Sequence, residues 1–577
     1  MAEHHKVAIE TTAQAYLELL AGLGIKYFFA NAGTDFASMI DGFARRAHEH
    51  QSTPEPVLVP HECCAVSMAH GYYLATGQPS VVMVHTLPGT ANALGALINA
   101  ARSNIPLVLT AGRTPITEQG HPGSRDGTIH WGQESFDQAA MVREFVKYDY
   151  ELRTLDQMET VVRRAFMLAN AEPKGPVYLS LPREVLAEPH REFSFSTGQP
   201  LAPLADPYPD PAEIERLAAL IAQASHPLIL TRSLGRNHAA VGALATLAEK
   251  FAIGVIEYPS PAFMNLPTSH PMHLGFGPRP FLGQADLILV IDSDVPWIWN
   301  GMLGASPPAG AKVAHLGQDP LAHRYPIWGY PVDCAIQADS AKALPLLIEA
   351  LEPYRKRHQS AIEERAQAIT SEHRRQRAAW LAEAEQAGKA ELLTPEWISH
   401  CLSEYRSPDT VFINEYRLSQ RHLLADLPGT VYAGSAAGYL GWGLGASLGI
   451  KLGAPQKTVI LMEGDGSYLF ATPSACHLVA AARKLPTLTI VNDNGGWGAV
   501  YHAARGVHPE GWAVRDKNFP LVRFGAQPRY DKMIEAFGGH GEFVSSPREF
   551  PAVLARALKV VREEGRAALI HARCVQL

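Results

Sequence analysis

The 577-residue chain has a net charge of −7, with 47% hydrophobic and 19% charged residues, a composition that excludes a disordered or fibrous protein and allows about three or four cores. Both signs of charge are interspersed, so a nucleic-acid or polyanion partner has no electrostatic footprint. The start, MAEHHKVAIETT, has no apolar signal segment and no apolar run reaches about 18 residues, so no membrane span and a cytoplasmic location are expected. Cys63, Cys64, Cys334, Cys401, Cys476 and Cys574 are scattered without CxxC pairs at zinc spacing, and reduced core thiols are expected.

Along the chain, apolar runs of strand length alternate with longer helical patterns, the signature of α/β units on parallel sheets. The expected fold class is α/β, with three doubly wound parallel-sheet domains. The first covers residues 1–190, with strands at 57–59, 80–85, 106–110 and 177–181. A linker at 191–205 runs into the proline-rich stretch QPLAPLADPYPDPAE, where fixed φ angles and missing donors prevent a strand ladder. The central domain, 206–351, has strands at 228–230 and 287–291. Residues 352–393 form a charged helical segment with opposite charges three and four apart, read as a solvated connection. The third domain is 394–577.

In that third domain the apolar run Val459-Ile460-Leu461-Met462 leads into MEGDGSYLF, which sets Asp465 between Gly464 and Gly466. Alone, Asp-Gly is a common turn dipeptide. A helical pattern, SACHLVAAARKL, follows, then a second strand, LTIVNDN, and Gly495-Gly496. In a parallel β-α-β unit both strands end on the same edge, so Asp465 and Asn494 are brought together. Two hard oxygen donors beside a glycine carbonyl make a plausible magnesium site. So incomplete a protein set implies a phosphate-bearing ligand, with a diphosphate against the glycine backbone.

These residues carry a resemblance. Gly464-Asp465-Gly466 followed by Asn494 resembles the GDG…NN diphosphate motif of thiamine diphosphate enzymes, and Gly438-Tyr439-Leu440-Gly441-Trp442-Gly443 resembles the segment before it. The resemblance implies thiamine diphosphate and Mg2+ as cofactors, with Asp465, Asn494 and the Gly496 carbonyl as metal ligands. It implies that Gly464, Gly466 and Ser467 line the diphosphate, that Leu440 is the apolar wedge bending the cofactor, and that the Gly438 carbonyl accepts from its 4′-amino group. The usual Asn-Asn is Asp493-Asn494 here, and the family's ligand is the second of the two. In the first domain, PHECCAVSMAHGYYLATGQP resembles the family's helix that sets a glutamate, here Glu62, opposite N1′ of the aminopyrimidine. That carboxylate favours the imino tautomer, which takes the C2 proton and creates the nucleophilic ylide. An isolated Glu at a helix N-terminus would be no more than a favourable dipole interaction. The three domains then read as pyrimidine-binding, central and diphosphate-binding. The family further implies a homodimer or homotetramer with the cofactor at the subunit interface.

Three positions resemble benzoylformate decarboxylase: His85 in VHTLPGTANALGALINA, His270 in PTSHPMHLGFGP, and Thr34 in NAGTD. Their dull alternatives are a core histidine, a loop residue and a helix N-cap. Gln133, in HWGQESFDQ, is similar instead to the glutamine near the cofactor in acetolactate synthases. His121, Arg125 and His130, in the same loop, could bind a carboxylate. Ala503 stands where the decarboxylase closes its pocket with a bulky aromatic, and the segment after it reads as a lid or wall for a larger or anionic substrate. The central ILTRSLGRN lacks a Gly-rich run, so no flavin is expected. The resemblance thus implies a 2-oxo acid decarboxylase that yields an aldehyde, or a carboligase that joins the enamine to an aldehyde or ketone acceptor and yields a 2-hydroxy ketone. His85 and His270 would relay protons, Thr34 hold the carboxylate and Gln133 orient the acceptor. The alternatives are an acetolactate synthase-like carboligase, or a lyase of the 2-hydroxyacyl-CoA lyase or oxalyl-CoA decarboxylase kind. A non-enzymatic scaffold predicts a broken cofactor site, against which Glu62, Asp465 and Asn494 all stand.

Overall fold

The computed structural model describes residues 3–197, 204–258, 261–300, 304–434 and 437–576. Three six-stranded sheets carry these residues, and every strand pair within them is parallel. The first runs, in spatial order, through Glu55–Leu58, Tyr27–Ala30, Ser80–Val84, Leu107–Arg113, Val177–Pro182 and Asp149–Glu151. The second runs through His273–Phe276, Gly254–Glu257, Pro227–Thr231, Leu287–Ile291, Lys312–Gly317 and Cys334–Gln337. The third runs through Val431–Ala433, Thr410–Glu415, Thr458–Gly464, Leu488–Asp493, Ala568–Arg573 and His540–Val544. Central strands such as SVVMV and LILVI are buried along their whole length, because helices cover both faces of a parallel sheet.

A fourth sheet was not legible: Glu3–Ala8 pairs antiparallel with Glu192–Thr197. The second of these strands lies inside the stretch read as linker 191–205. Phe193 and Phe195 point inward there, packing with Leu17 and Leu20, while intervening residues face out. Residues 198–203, which include the start of the proline-rich stretch, lie outside the described residues. The charged segment after the central sheet contains the 29-residue helix Gln359–Ala387. It is largely exposed but pinned to the central domain, since Arg365 donates to the carbonyls of Phe251 and Ala252 at a helix end and the His373 ring meets the carbonyl of strand residue His273 at 2.8 Å.

Two helices join the first and third sheets. Glu62–Thr76 and Trp442–Gly453 run side by side in the same direction, with Gly445 against Cys64 and Ser67, Gly449 against Met68, and Gly453 against Thr76. A β-carbon at Gly449 would collide with the Met68 carbonyl oxygen, so glycine permits this approach. One hydrophobic cluster consequently extends from Val57 and Val82 through Met68 to Trp442 and Leu461. All six cysteines are free and buried, with the Cys64 and Cys476 sulfurs 3.0 Å apart between the same two parts of the fold. Among the described residues no helix is long and apolar enough to cross a membrane.

Candidate active site

Parallel pairing lines up the carboxyl ends of four strands in the third sheet. Glu415 stands opposite Glu463, Gly464 opposite Asn492, and Asp493 opposite Arg573. Asp465 follows directly and begins the short helix Asp465–Phe470 instead of cornering a turn. Its carboxylate is 2% exposed. Oδ1 accepts from the Gly466 N–H at 2.8 Å and Oδ2 from the Gly495 N–H at 2.8 Å, so Asp465 is tied to the loop that carries Asn494 and Gly496. In that loop Asn494 Oδ1 accepts from the Gly496 N–H at 3.3 Å.

Two aspartates meet here, and they are pushed in opposite directions. Burial, with Asp493 adding, raises Asp465 to about 7 against the backbone hydrogen bonds it accepts. Burial would raise Asp493 as well. Its Oδ2, however, accepts from His571 Nε2 at 2.8 Å and Arg573 Nε at 3.0 Å, and these hold it below the usual carboxylate range. Asp493 thus has its own partners, the Arg573 guanidinium among them, and Asp465 is the buried carboxyl short of a counter-charge. A divalent cation fits that deficit, and the donors around it are hard oxygens beside glycine backbone. Among the described residues no three His, Cys, Asp or Glu side chains cluster to hold a metal. A metal here would therefore take one carboxylate, one amide and a main-chain oxygen.

On the same edge, Glu415 was missed by the sequence reading. It accepts from the Gly441 N–H at 2.6 Å and from the Gly443 N–H, capping the helix Trp442–Gly453. That cap fixes the preceding turn, where Gly438 has φ +67 and is exposed and Leu440 is half-buried. Burial pushes both Glu415 and the facing Glu463 upward. The turn is clasped from the first sheet's side as well: Asn99 exchanges hydrogen bonds with the Tyr439 backbone at 2.8 and 3.2 Å, and the Cys63 sulfur lies 3.1 Å from the Tyr439 hydroxyl. Ser467 is buried, and Gly464 and Gly466 flank Asp465.

The first sheet gathers a second set on its own carboxyl edge. Glu62 opens the helix Glu62–Thr76 and is 6% exposed; its two oxygens accept from Asn31 Nδ2 at 2.9 Å and Asn92 Nδ2 at 3.2 Å. His85 follows the strand Ser80–Val84, and its Nδ1 is hydrogen-bonded to Asp35 Oδ1. That bond, opposed by burial and reinforced by Glu62 and Gln133, raises the His85 pKa above its ordinary value. Gln133 Oε1 accepts from Thr86 Oγ1 at 3.4 Å. Thr34 is exposed in the turn Thr34–Phe36, where Gly33 and not Thr34 is the N-cap.

His270 is placed differently. It precedes the strand His273–Phe276, on the amino side, where Nδ1 accepts from the Met272 N–H at 3.2 Å and Nε2 is 4.0 Å from Glu249. Burial lowers its pKa. Among the described residues nothing joins it to Glu62, His85 or Gln133. Arg125 and His130 are used within their own loop: Arg125 donates to the Pro115 carbonyl and pairs with Glu134, and His130 is buried against Asp126. Ala503 sits on the helix Gly498–Val507, which buries no side chain within the chain. Beyond it Trp512 and Leu521 are 76% and 92% exposed.

Asn31, Asn92, Asp35 and Glu415 stand at these carboxyl edges without a motif of their own in the sequence. Each is hydrogen-bonded to a partner distant in sequence, and only the positions of Asn31 and Asp35 inside NAGTD, and of Asn92 inside PGTANAL, gave any signal.

Residues 10–141 match the thiamine pyrophosphate enzyme N-terminal TPP binding domain, and residues 416–572 match the C-terminal TPP binding domain. The chain is 28% identical to a benzoylformate decarboxylase of Pseudomonas aeruginosa, covering 85% of this chain and 87% of the relative. It is 26% identical to a probable acetolactate synthase of Mycobacterium bovis, covering 93% and 92%. Among solved structures, a 4-hydroxybenzoylformate decarboxylase of Rhodococcus jostii RHA1 shares the fold with a TM-score of 0.76, at 22% identity and 98% and 99% coverage.

Proposed function

Because the chain belongs to the family of thiamine pyrophosphate enzymes, we propose that it is a magnesium-dependent 2-oxo acid decarboxylase of the benzoylformate decarboxylase kind, with carboligation as a second outcome. The observation that carries this reading is the cluster at the first sheet's carboxyl edge, where His85 is set beside Glu62, Gln133 and Asp35. Thiamine diphosphate, when bound, supplies a nucleophilic carbon and an electron sink for the loss of carbon dioxide. Asp465, Asn494 and the Gly496 carbonyl hold Mg2+, and Gly464, Gly466 and Ser467 line the diphosphate. The Gly438 carbonyl and Leu440 seat the aminopyrimidine. Glu62, fixed by the amides of Asn31 and Asn92, would hydrogen-bond the aminopyrimidine at N1′ and hold a proton there. His85 would supply the proton that the aldehyde product gains, Thr34 would hold the substrate carboxylate, and Gln133 would orient an acceptor carbonyl.

His270 is remote within the chain, so it enters this reading only from another copy. The active unit is then a homodimer at least, or a homotetramer, with the cofactor at the interface. The helix Gly498–Val507 and the exposed Trp512 and Leu521 suit a wall that another copy covers. Ala503 leaves that pocket room for a substrate larger than a simple aromatic 2-oxo acid. A cavity of about 670 Å³ beside Gly438 is lined by Arg232, Arg417 and Arg421 and equally by Asp294, Glu383, Glu396 and Glu415, so it presents both signs of charge. The working division is 1–190 for the pyrimidine, 206–351 for the central domain and 394–577 for the diphosphate, joined by 191–205 and 352–393, with Glu192–Thr197 moved from the first connection into the pyrimidine domain because it pairs with Glu3–Ala8, in a cytoplasmic enzyme.

An acetolactate synthase-like carboligase is the second reading, favoured by Gln133 beside Thr86 and His85. The test is a panel of pyruvate, benzoylformate, phenylpyruvate and acyl-CoA substrates with thiamine diphosphate and magnesium, following carbon dioxide and organic products separately. Carbon dioxide with free aldehyde supports decarboxylation, 2-hydroxy ketone supports the second reading, and turnover of thioesters alone overturns both.

A further inference from the structure

We propose that Asp35 is the positioning residue for His85, holding the imidazole by Nδ1 so that Nε2 is the nitrogen presented to the reacting carbon. The role rests on the reading of His85 as proton donor.

The contact is built into the fold from two strands. Asp35 lies in the turn Thr34–Phe36, just past the strand Tyr27–Ala30, and His85 lies just past the neighbouring strand Ser80–Val84. Asp35 is 3% exposed, and its second oxygen, Oδ2, has no hydrogen-bond partner. A buried carboxylate with a spare oxygen is costly unless its other contact repays it, and here that contact is the imidazole. Two glycines make room for the pair. A β-carbon at Gly112 would overlap Asp35 Oδ2, and one at Gly33 would overlap the His85 ring at Nδ1 and Cγ. A side chain at either position would meet the dyad first. The groups facing His85 are Asp35 from its turn, Glu62 from the helix Glu62–Thr76, and the neutral Gln133.

With Nδ1–H donated to Asp35, the neutral ring keeps a bare Nε2, and the imidazolium carries its exchangeable proton on Nε2. The net reaction takes up one proton, one 2-oxo acid anion and one proton giving one aldehyde and one carbon dioxide; His85 would deliver that proton from Nε2 to the former carbonyl carbon, and the neutral ring would recover one from water. Both carboxylates near the ring favour its charged form, so Asp35 keeps the donor loaded to higher pH.

The test is Asp35→Asn in the full chain, read in two ways. First, the His85 ring signal of the cofactor-free protein, assigned by its loss in His85→Ala, is titrated by NMR; its midpoint is expected to move to lower pH. Second, kcat with a decarboxylated 2-oxo acid is expected to fall about 10- to 100-fold, the range for groups that orient a functional imidazole, with its alkaline limb moved to lower pH. KM and the affinity for thiamine diphosphate are expected to hold. Asp35→Ser, smaller and easily housed, carries the same expectations if Asp35→Asn does not fold. An unmoved ring titration overturns the Asp35 contact itself. A moved titration with an unmoved kcat profile overturns the donor reading of His85, and a loss confined to KM or cofactor affinity overturns the positioning role.

Discussion

Gly33→Ala adds one methyl group where the imidazole of His85 lies. The backbone at Gly33 is extended, with φ −129, so alanine meets no conformational penalty there and the whole effect comes from the collision with the ring. Overpacking a rigid core costs about 1–3 kcal/mol. The His85 side chain is 21% exposed and can swing outward, so the stability loss should sit near the lower end, about 1 kcal/mol. Swinging outward breaks the bond to Asp35 and takes Nε2 away from its target. A positioned proton donor contributes roughly 10²- to 10⁴-fold in rate, so kcat should fall on that scale while thiamine diphosphate affinity is kept. The assay is steady-state carbon dioxide release beside a melting curve, repeated in a His85→Ala background. There Gly33→Ala should add almost nothing, because both changes act through one contact. Unchanged turnover in the single variant, or an equal second loss on top of His85→Ala, would refute the argument.

Other expectations concern the cofactor edge and the packing. Asp465 is raised to about 7, so the cofactor-free folded protein binds a proton that the unfolded chain has released; by linkage its stability falls as pH rises from the usual aspartate range to about 7. Magnesium with thiamine diphosphate should reverse that trend, because the metal needs the ionised carboxylate, and melting temperatures at pH 5 and 8 with and without both ligands check it. Asn31→Ala or Asn92→Ala leaves one Glu62 oxygen without its amide, a loss of about 1.5–3 kcal/mol for a charged acceptor, and exchange of the cofactor's C2 proton with deuterium should slow by roughly 10- to 100-fold. Gly449→Ala pushes a methyl group into the Met68 carbonyl and should lower stability by about 1–3 kcal/mol in denaturant unfolding.

The parallel sheets were legible because strands buried on both faces are apolar without interruption, as in SVVMV and LILVI. Asp465 and the loop that carries Asn494 could be placed on one edge from the sequence because a β-α-β unit returns both strands there, a rule of topology that needs no side-chain detail. Asp35, Asn31, Asn92 and Glu415 could not be read this way, since each works through a side-chain contact whose partner lies 26 to 50 positions away or on another strand. The pairing of Glu3–Ala8 with Glu192–Thr197 was hidden for a related reason: one strand is the polar EHHKVA and the other runs into a proline-rich stretch that reads as a linker. His270 has the local pattern of a functional histidine, yet within the chain its surroundings are Glu249 and the Met272 backbone.

The central claim is that Asp465 and Asn494 hold magnesium for a thiamine diphosphate that decarboxylates a 2-oxo acid. It is tested most directly by carbon dioxide release from the best substrate of the panel, comparing wild type with Asp465→Ala, each with and without thiamine diphosphate and magnesium. Release that needs both additions and is lost in Asp465→Ala is the predicted result; release that persists in Asp465→Ala, or without thiamine diphosphate, would contradict it.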